Sequence, residues 1–204
     1  MTERARIHWT PRPIVGEPLL SMVVAAYESP DSLLCLLYSF RSQSYDNWEA
    51  IVVHDGPGAT TREAILRLND SRVRLIETEE RKGGWGHPWR DLGLKASTGD
   101  YVGMSNDDNW YAPVYFETML HEATTKNADF VYCNMIHSFM GWMPLATQPR
   151  KQWLDLGAWI CKGETVRTTD WTDMAIDGDG TYIDALVAKS KTIAHVPNFM
   201  FVHN

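Results

Sequence analysis

The stretch Tyr101-Val-Gly-Met-Ser-Asn-Asp-Asp-Asn-Trp-Tyr111 joins an apolar run to a cluster of oxygen-bearing side chains. The apolar part, Tyr101–Met104, predicts a buried strand, and Pro113 predicts the start of the next helix. Carboxylates at the carboxyl end of a buried strand suit a hard divalent cation, which takes oxygen ligands and can bridge them to phosphates. An ordinary strand-to-helix turn also favours Asn and Asp, and the stretch taken alone favours that simpler interpretation.

The composition is that of an acidic globular chain, with 204 residues and a net charge of −7. The negative charge disfavours nucleic acid as a partner, and an anionic substrate would need a metal or local Arg and Lys. No apolar run approaches the roughly 20 residues of a transmembrane segment, and the charged N-terminus does not resemble a secretory signal. The three cysteines, Cys35, Cys133 and Cys161, predict reduced, buried thiols in a cytoplasmic protein.

Strand and helix patterns alternate along the first half, as in a parallel sheet with right-handed crossovers. Apolar runs predict strands at 19–26, 49–54, 73–77 and 101–104, and apolar periodicity predicts helices over 32–43, 61–68 and 88–97. The second half predicts a helix over 114–125, a strand at 129–136, an irregular segment at 137–150, a strand at 158–161, a helix over 180–189, and strands at 192–196 and 199–202. Residues 1–18 contain three prolines and predict an extended arm before one α/β domain over 19–204.

Acidic or glycine residues end each strand of the first half, at Tyr27-Glu28, Asp55-Gly56, Gly83-Gly84 and Asn106-Asp107-Asp108. Because ligands bind beyond the carboxyl ends of parallel strands, these four endings predict one binding edge. Gly83-Gly84-Trp85-Gly86 permits close backbone approach but lacks the spacing of a P-loop or a dinucleotide fingerprint. Arg90, one turn into the next helix, is placed to pair with a phosphate.

Five segments resemble, in order and spacing, the motifs of family 2 glycosyltransferases with the GT-A fold. They are Ser21-Met-Val-Val-Ala-Ala-Tyr-Glu, Val53-His-Asp-Gly, Trp89-Arg-Asp-Leu-Gly, Gly99-Asp-Tyr-Val and Asn106-Asp-Asp. The resemblance continues more weakly through Asp177-Gly-Asp-Gly-Thr-Tyr to His203. It implies a Rossmann-like three-layer α/β/α sandwich with a mostly parallel central sheet. Residues 19–110 would form the nucleotide-binding half and residues 111–204 the acceptor-binding half.

The resemblance also implies roles for individual residues. Together with the glycine-rich segment, it places a nucleotide-sugar against Ala26, Tyr27, Glu28, Asp55, Gly84, Arg90, Asn106 and Asp107. It assigns Mn²⁺ or Mg²⁺ to Asp108 and His203, and the general base to Asp179, with Asp177 as the alternative. Asn106 departs from the family pattern, which has an Asp there, and one negative charge is lost at the metal site. Asp55 can accept a hydrogen bond from the ring N–H of uracil or guanine, so we expect UDP to bind best.

These residues predict a metal-dependent glycosyltransferase that moves a sugar to a glycan or other hydroxyl acceptor with inversion. One alternative is a nucleotidyltransferase, although such enzymes usually have a Gly-rich, basic loop where this chain has Tyr27-Glu28-Ser29. The other is a non-catalytic nucleotide- or sugar-binding subunit, because the chain is short for the family. The sequence leaves open the sugar, the acceptor and whether the chain forms a homo-oligomer.

The remaining aromatic residues and histidines divide by position. One or two of four tryptophans in the second half are expected to meet the acceptor, since aromatic rings stack on sugars: Trp142, Trp153, Trp159 and Trp171. Five histidines are interpreted as structural or surface residues: His54, His87, His121, His137 and His195.

Overall fold

Runs rich in apolar residues form the strands of the first half. The computed structural model describes residues 12–204, so residues 1–11 of the predicted arm lie outside the described part. The first half contains, in chain order, β1 (Leu20–Ala26), α1 (Pro30–Arg41), β2 (Trp48–His54), α2 (Ala59–Leu68), β3 (Val73–Glu77), α3 (His87–Ala96) and β4 (Tyr101–Asn106). Each element agrees with its predicted bounds to within two residues at either end.

The second half departs further from the prediction. It contains β5 (Trp110–Tyr111), α4 (Tyr115–Thr125), β6 (Phe130–His137), β7 (Met143–Leu145), β8 (Trp159–Lys162), α5 (Gly163–Arg167), α6 (Gly178–Lys189) and β9 (Ile193–His203). The two strands predicted at 192–196 and 199–202 are one strand, because Pro197 and its neighbour are absorbed as an irregularity in the pairing with β6. The helix α6 begins at Gly178, so Asp179 lies in its first turn rather than before it.

The strands form one sheet in the order β3-β2-β1-β4-β8-β6-β9-β5, with β7 paired to β6. Four parallel pairings, β1 with β2, β1 with β4, β2 with β3 and β6 with β9, are the long ones. The antiparallel pairings, which include both edges of β8, join only two or three residue pairs each. The mostly parallel α/β sheet is therefore confirmed. Nearly every residue of β1 and β2 is buried, as expected for strands covered on both faces.

A glycine anchors the turn that precedes β8. Gly157 is packed so closely that an added Cβ would lie 2.1 Å from the Phe201 ring and 2.6 Å from the Tyr111 hydroxyl. Its carbonyl accepts a hydrogen bond from the Tyr115 hydroxyl at 2.9 Å. This buried contact fixes the segment 155–158 against β9 and the aromatic core.

The cysteine prediction is correct for two residues and wrong for the third. Cys133 and Cys161 are buried, and burial raises the pKa of the Cys161 thiol to about 12. Cys35 is exposed, because α1 turns its 33, 36, 37 and 40 positions to the core and leaves position 35 on the outer face. Among residues 12–204, helices long and apolar enough to cross a membrane are absent.

Candidate active site

The carboxyl ends of β1, β2 and β4 surround a pocket of about 470 Å³, which we call the Gly-loop pocket. Its lining residues come from these strand ends, the glycine-rich segment and α3: Ala25, Ala26, Tyr27, Asp55, Arg81, Gly83, Trp85, Gly86, Trp89, Arg90, Asn106, Asp107 and Asp108. The predicted binding edge is thus one concave site. Two residues predicted to bind the nucleotide-sugar, Glu28 and Gly84, do not belong to this lining.

The glycine-rich segment adopts left-handed backbone conformations. Gly83, Gly84 and Gly86 have φ values of 65°, 60° and 78°, which favour glycine. Trp85 adopts φ 58° and leaves 63% of its surface exposed, an uncommon backbone conformation for a bulky residue. Asp55 holds the start of this segment, because its two carboxylate oxygens accept hydrogen bonds from the backbone N–H groups of Lys82 and Gly83 at 2.8 and 2.9 Å.

Tyr27 forms one wall of the Gly-loop pocket. The Arg81 guanidinium lies over its ring, 4.0 Å from the centroid. The Asp107 carboxylate fixes the backbone here by accepting hydrogen bonds from the Tyr27 N–H at 3.0 Å and from the Ser29 hydroxyl. Burial raises the pKa of Asp107, and these two hydrogen bonds oppose the shift. Arg81 is not predicted as a site residue from the sequence, and its position just before the glycine-rich segment is the one sequence feature that connects it with the pocket.

Arg90 is buried beneath the glycine-rich segment. Its guanidinium donates to the Trp85 carbonyl, to His87 Nδ1 at 3.1 Å and to Asn106 Oδ1 at 2.6 Å. Its Nε is buried without a hydrogen-bond partner among residues 12–204. Burial lowers the pKa of Arg90, and the charge of Asp179 gives the largest opposing contribution. Arg90 also lines the Gly-loop pocket, where a guanidinium can attract an anion.

A second pocket of about 440 Å³, which we call the Asp155 pocket, lies in the second half of the chain. It is lined by the ends of β6 and β7, the segment 151–155 and the start of α6: Met135, His137, Met140, Leu145, Ala146, Lys151, Gln152, Trp153, Leu154, Asp155, Asp177, Asp179 and Gly180. Trp153 is therefore the member of the predicted tryptophan group that reaches a pocket wall. Trp159 is fully buried, Trp171 packs against His87 and Tyr182, and Trp142 is exposed.

The two candidate bases differ in their surroundings. Asp177 is half exposed and forms an ion pair with Lys151 at 2.7 Å. Asp179 accepts a hydrogen bond from the Gly180 N–H at 2.7 Å and interacts electrostatically with Arg90 and Asp155. Asp179 is thus the candidate that interacts electrostatically with a residue of each pocket.

The predicted metal ligands, Asp108 and His203, both interact with Asp155, which lines the Asp155 pocket. The Asp108 carboxylate interacts electrostatically with His203 and Asp155. Asp108 Oδ1 is buried without a hydrogen-bond partner in the described part of the chain. Burial raises the pKa of both Asp108 and Asp155, while the charge of His203 opposes each shift. An orphaned carboxylate oxygen among crowded acidic groups fits a divalent cation, which takes oxygen and imidazole ligands.

His137 and Asp155 were missed as members of this cluster. One donor atom from each of His137, Asp155 and His203 lies within 4.8 Å of the other two. From the sequence alone, His137 is interpreted as structural or surface, and Asp155 lies between the irregular segment 137–150 and the strand predicted at 158–161. In the structure His137 lines the Asp155 pocket and stacks on His203.

Solved structures with the same fold are glycosyltransferases. S. aureus TarS 1–349 in complex with UDP-GlcNAc aligns with a TM-score of 0.76 and 15% identity, over 90% of this chain and 58% of that one. The mannosyltransferase PcManGT from Pyrobaculum calidifontis, in complex with GDP-Man and Mn²⁺, aligns with a TM-score of 0.73 and 16% identity, over 98% of this chain and 60% of that one. At these identities the likeness establishes the fold alone, and it confirms the predicted GT-A class.

The family follows from the sequence. The model of the family described as Glycosyl transferase family 2 matches residues 21–178, and this chain belongs to that family. The Escherichia coli enzyme WfaP is 29% identical over 116 residues, covering 57% of this chain and 45% of WfaP. Its name is UDP-Glc:alpha-D-GlcNAc-diphosphoundecaprenol beta-1,3-glucosyltransferase. The matched part of this chain thus spans less than half of that relative.

Proposed function

We propose that this chain transfers a sugar from a nucleotide-sugar, preferably a UDP-sugar, to a hydroxyl acceptor with inversion at the anomeric carbon. The observation that carries the proposal is a charged cluster that links residues of the two pockets. Asp108 lines the Gly-loop pocket, Asp155 and Asp179 line the Asp155 pocket, and the charge of Asp155 interacts with Asp108, Asp179 and Arg90. A donor and an acceptor bound in these pockets would meet there.

The Gly-loop pocket is the donor site in this proposal. Tyr27 and Asp55 would hold the base, while the glycine-rich backbone and Arg90 would face the diphosphate, since backbone N–H groups and guanidinium bind phosphate oxygens. The preference for uridine is supported by the acceptor oxygens of Asp55 and by relatives: WfaP is named for UDP-Glc, and TarS has been solved with UDP-GlcNAc.

The Asp155 pocket is the acceptor site, with Asp179 as the base. Asp179 takes the proton of the acceptor hydroxyl as the acceptor oxygen bonds to the anomeric carbon. The bond from that carbon to the diphosphate oxygen breaks, and the nucleoside diphosphate leaves with its electron pair. Arg90 stabilises the negative charge that develops on the leaving group. Trp153 offers an aromatic surface for the acceptor.

Asp108 and His203 would hold a divalent cation, Mn²⁺ or Mg²⁺. When bound there, such an ion supplies positive charge that offsets the charge of the leaving diphosphate without a proton. Support comes from the orphaned oxygen of Asp108 and from the Mn²⁺ complex of PcManGT.

The test is product formation by the purified chain with a panel of UDP- and GDP-sugars in Mn²⁺ and in EDTA. A glycoside plus nucleoside diphosphate supports the transferase. An activated sugar plus pyrophosphate would indicate the nucleotidyltransferase alternative. UDP binding without turnover on any acceptor would favour a non-catalytic subunit. The cytoplasmic location, the homo-oligomer and the division at residue 110 stay predictions.

A further inference from the structure

Two neighbouring strands bring a pair of imidazoles together beside the Asp155 pocket. β6 and β9 run parallel, and His137 and His203 are register partners at the end of that pairing. Their rings stack with centroids 4.1 Å apart and planes inclined by 12°. The stack holds two imidazoles side by side, and imidazole is the commonest metal ligand in proteins.

A carboxylate faces this pair from the turn before β8. Asp155 Oδ1 accepts a hydrogen bond from the Gly157 N–H at 2.9 Å, while Oδ2 lies 3.7 Å from His203 Nε2. The second distance is too long for a hydrogen bond. It is shorter than about 4.2 Å, which is twice the ~2.1 Å bond from a zinc-like ion to imidazole or carboxylate. The gap is therefore one that a single ion can bridge.

Two buried atoms of the cluster are without hydrogen bonds. His137 Nδ1 and Asp108 Oδ1 have no partner within residues 12–204. Buried polar side-chain atoms are nearly always paired, and an exception calls for an explanation such as an ion.

We propose that His137, Asp155 and His203 form a preformed site that binds a transition-metal ion before the nucleotide and selects it over Mg²⁺. The role of the ion rests on the proposed function, but the ligand set goes beyond the family resemblance, which assigns only Asp108 and His203. A site with two protein ligands would need the diphosphate to complete it, whereas three protein ligands can hold an ion alone. Imidazoles suit ions such as Co²⁺ and Zn²⁺, while Mg²⁺ prefers oxygen ligands and retains water.

The test is titration of the chain with Co²⁺ in the absence of nucleotide, followed by visible absorption and calorimetry. We expect one Co²⁺ per chain, bound in the presence of excess Mg²⁺. His137→Gln and Asp155→Asn should each weaken Co²⁺ binding by at least about 10–100-fold, the loss usual even for groups that only support metal ligands. His195→Gln is the matched control. Like His203, His195 lies on β9 and stacks on an aromatic ring, that of Tyr132, but it lies outside the group of His137, Asp155 and His203. This variant should bind Co²⁺ like the wild type.

Several outcomes would overturn the proposal: a wild-type chain that binds Co²⁺ only with nucleotide, a His137→Gln chain with unchanged affinity, or equal affinities for Co²⁺ and Mg²⁺. Thermal unfolding in EDTA checks that the variants fold. If they do not, the wild type decides, because Mn²⁺ should broaden the ring-proton NMR signals of His137 and His203 and leave His121 and His195 sharp. Uniform broadening would count against the site. Intact Co²⁺ binding without glycosyl transfer would refute the proposed function alone.

Discussion

Replacing Asp179 by Asn removes proton acceptance and preserves the shape of the side chain. The amide oxygen can still accept the 2.7 Å hydrogen bond from the Gly180 N–H, so the first turn of α6 should stay intact. Loss of a general base costs about 10²–10⁴ in rate. This corresponds to roughly 2.7–5.5 kcal/mol in activation free energy at 1.36 kcal/mol per decade. We expect kcat to fall by this factor while the Kd for UDP changes little, because Asp179 lies outside the Gly-loop pocket.

Asp177→Asn is the matched control, two residues away and on the same pocket wall. Its carboxylate is 50% exposed and paired with Lys151, and pairs of this kind contribute at most about 1 kcal/mol. We therefore expect kcat of Asp177→Asn to fall by roughly fivefold at most. UDP release and glycoside formation measure kcat, and calorimetry measures UDP binding. The reverse order of the two variants would make Asp177 the base. Full activity in both variants would refute an inverting mechanism that uses either carboxylate.

Three further predictions concern packing, pH and the donor pocket. Gly93→Ala should lower the free energy of unfolding, because its Cβ would lie 2.4 Å from a methyl group of Val23 in β1. Overpacking costs about 1–3 kcal/mol, and the roughly 1 kcal/mol gain in helix propensity offsets only part of this cost. Burial raises the pKa of Glu49, but its hydrogen bonds outweigh burial and the net pKa is lowered. Glu49→Gln should therefore cost about 1–3 kcal/mol in denaturant unfolding at pH 7, and the difference should be lost as the pH falls from the ordinary pKa of Glu through the lowered pKa of Glu49; a pH-independent difference would contradict this. If the stacking of Arg81 on Tyr27 supports the base, Arg81→Ala should weaken UDP binding about two- to fivefold in calorimetry. The control is Arg72→Ala, which removes a stack of the same 4.0 Å geometry, on Trp48, far from the pocket. It should leave the affinity for UDP unchanged.

The binding edge could be predicted because two simple rules apply to it. Apolar runs of four to eight residues locate the strands, and parallel strands place their carboxyl ends at one edge of the sheet. These rules bring Tyr27, Asp55, Asn106 and Asp107 together, although they are widely spaced along the chain. That prediction used only the positions of the strands and their parallel direction, and it did not depend on contacts between side chains.

The cation cluster could not be predicted in full, because it depends on pairing and packing in the second half. His137 lies beside His203 only because β6 pairs with β9 in one register, and the apolar patterns of these strands do not specify that partner. Asp155 faces them because Gly157 packs against Phe201, a contact between residues far apart in sequence. Periodicity reports which face of an element is buried and contains no information on these long-range choices.

Asn106 illustrates how the structure changes the meaning of a departure from the family pattern. Its amide oxygen accepts a hydrogen bond from Arg90 at 2.6 Å. A carboxylate at this position would form an ion pair with the buried guanidinium and neutralise it, whereas a neutral amide orients Arg90 and leaves its charge available to an anion. That charge matters because Asp107, Asp108 and Asp155 crowd the same region, and burial raises the pKa of each. In the proposed function, the negative charge lost at the cation site is therefore offset by a positive charge retained for the diphosphate.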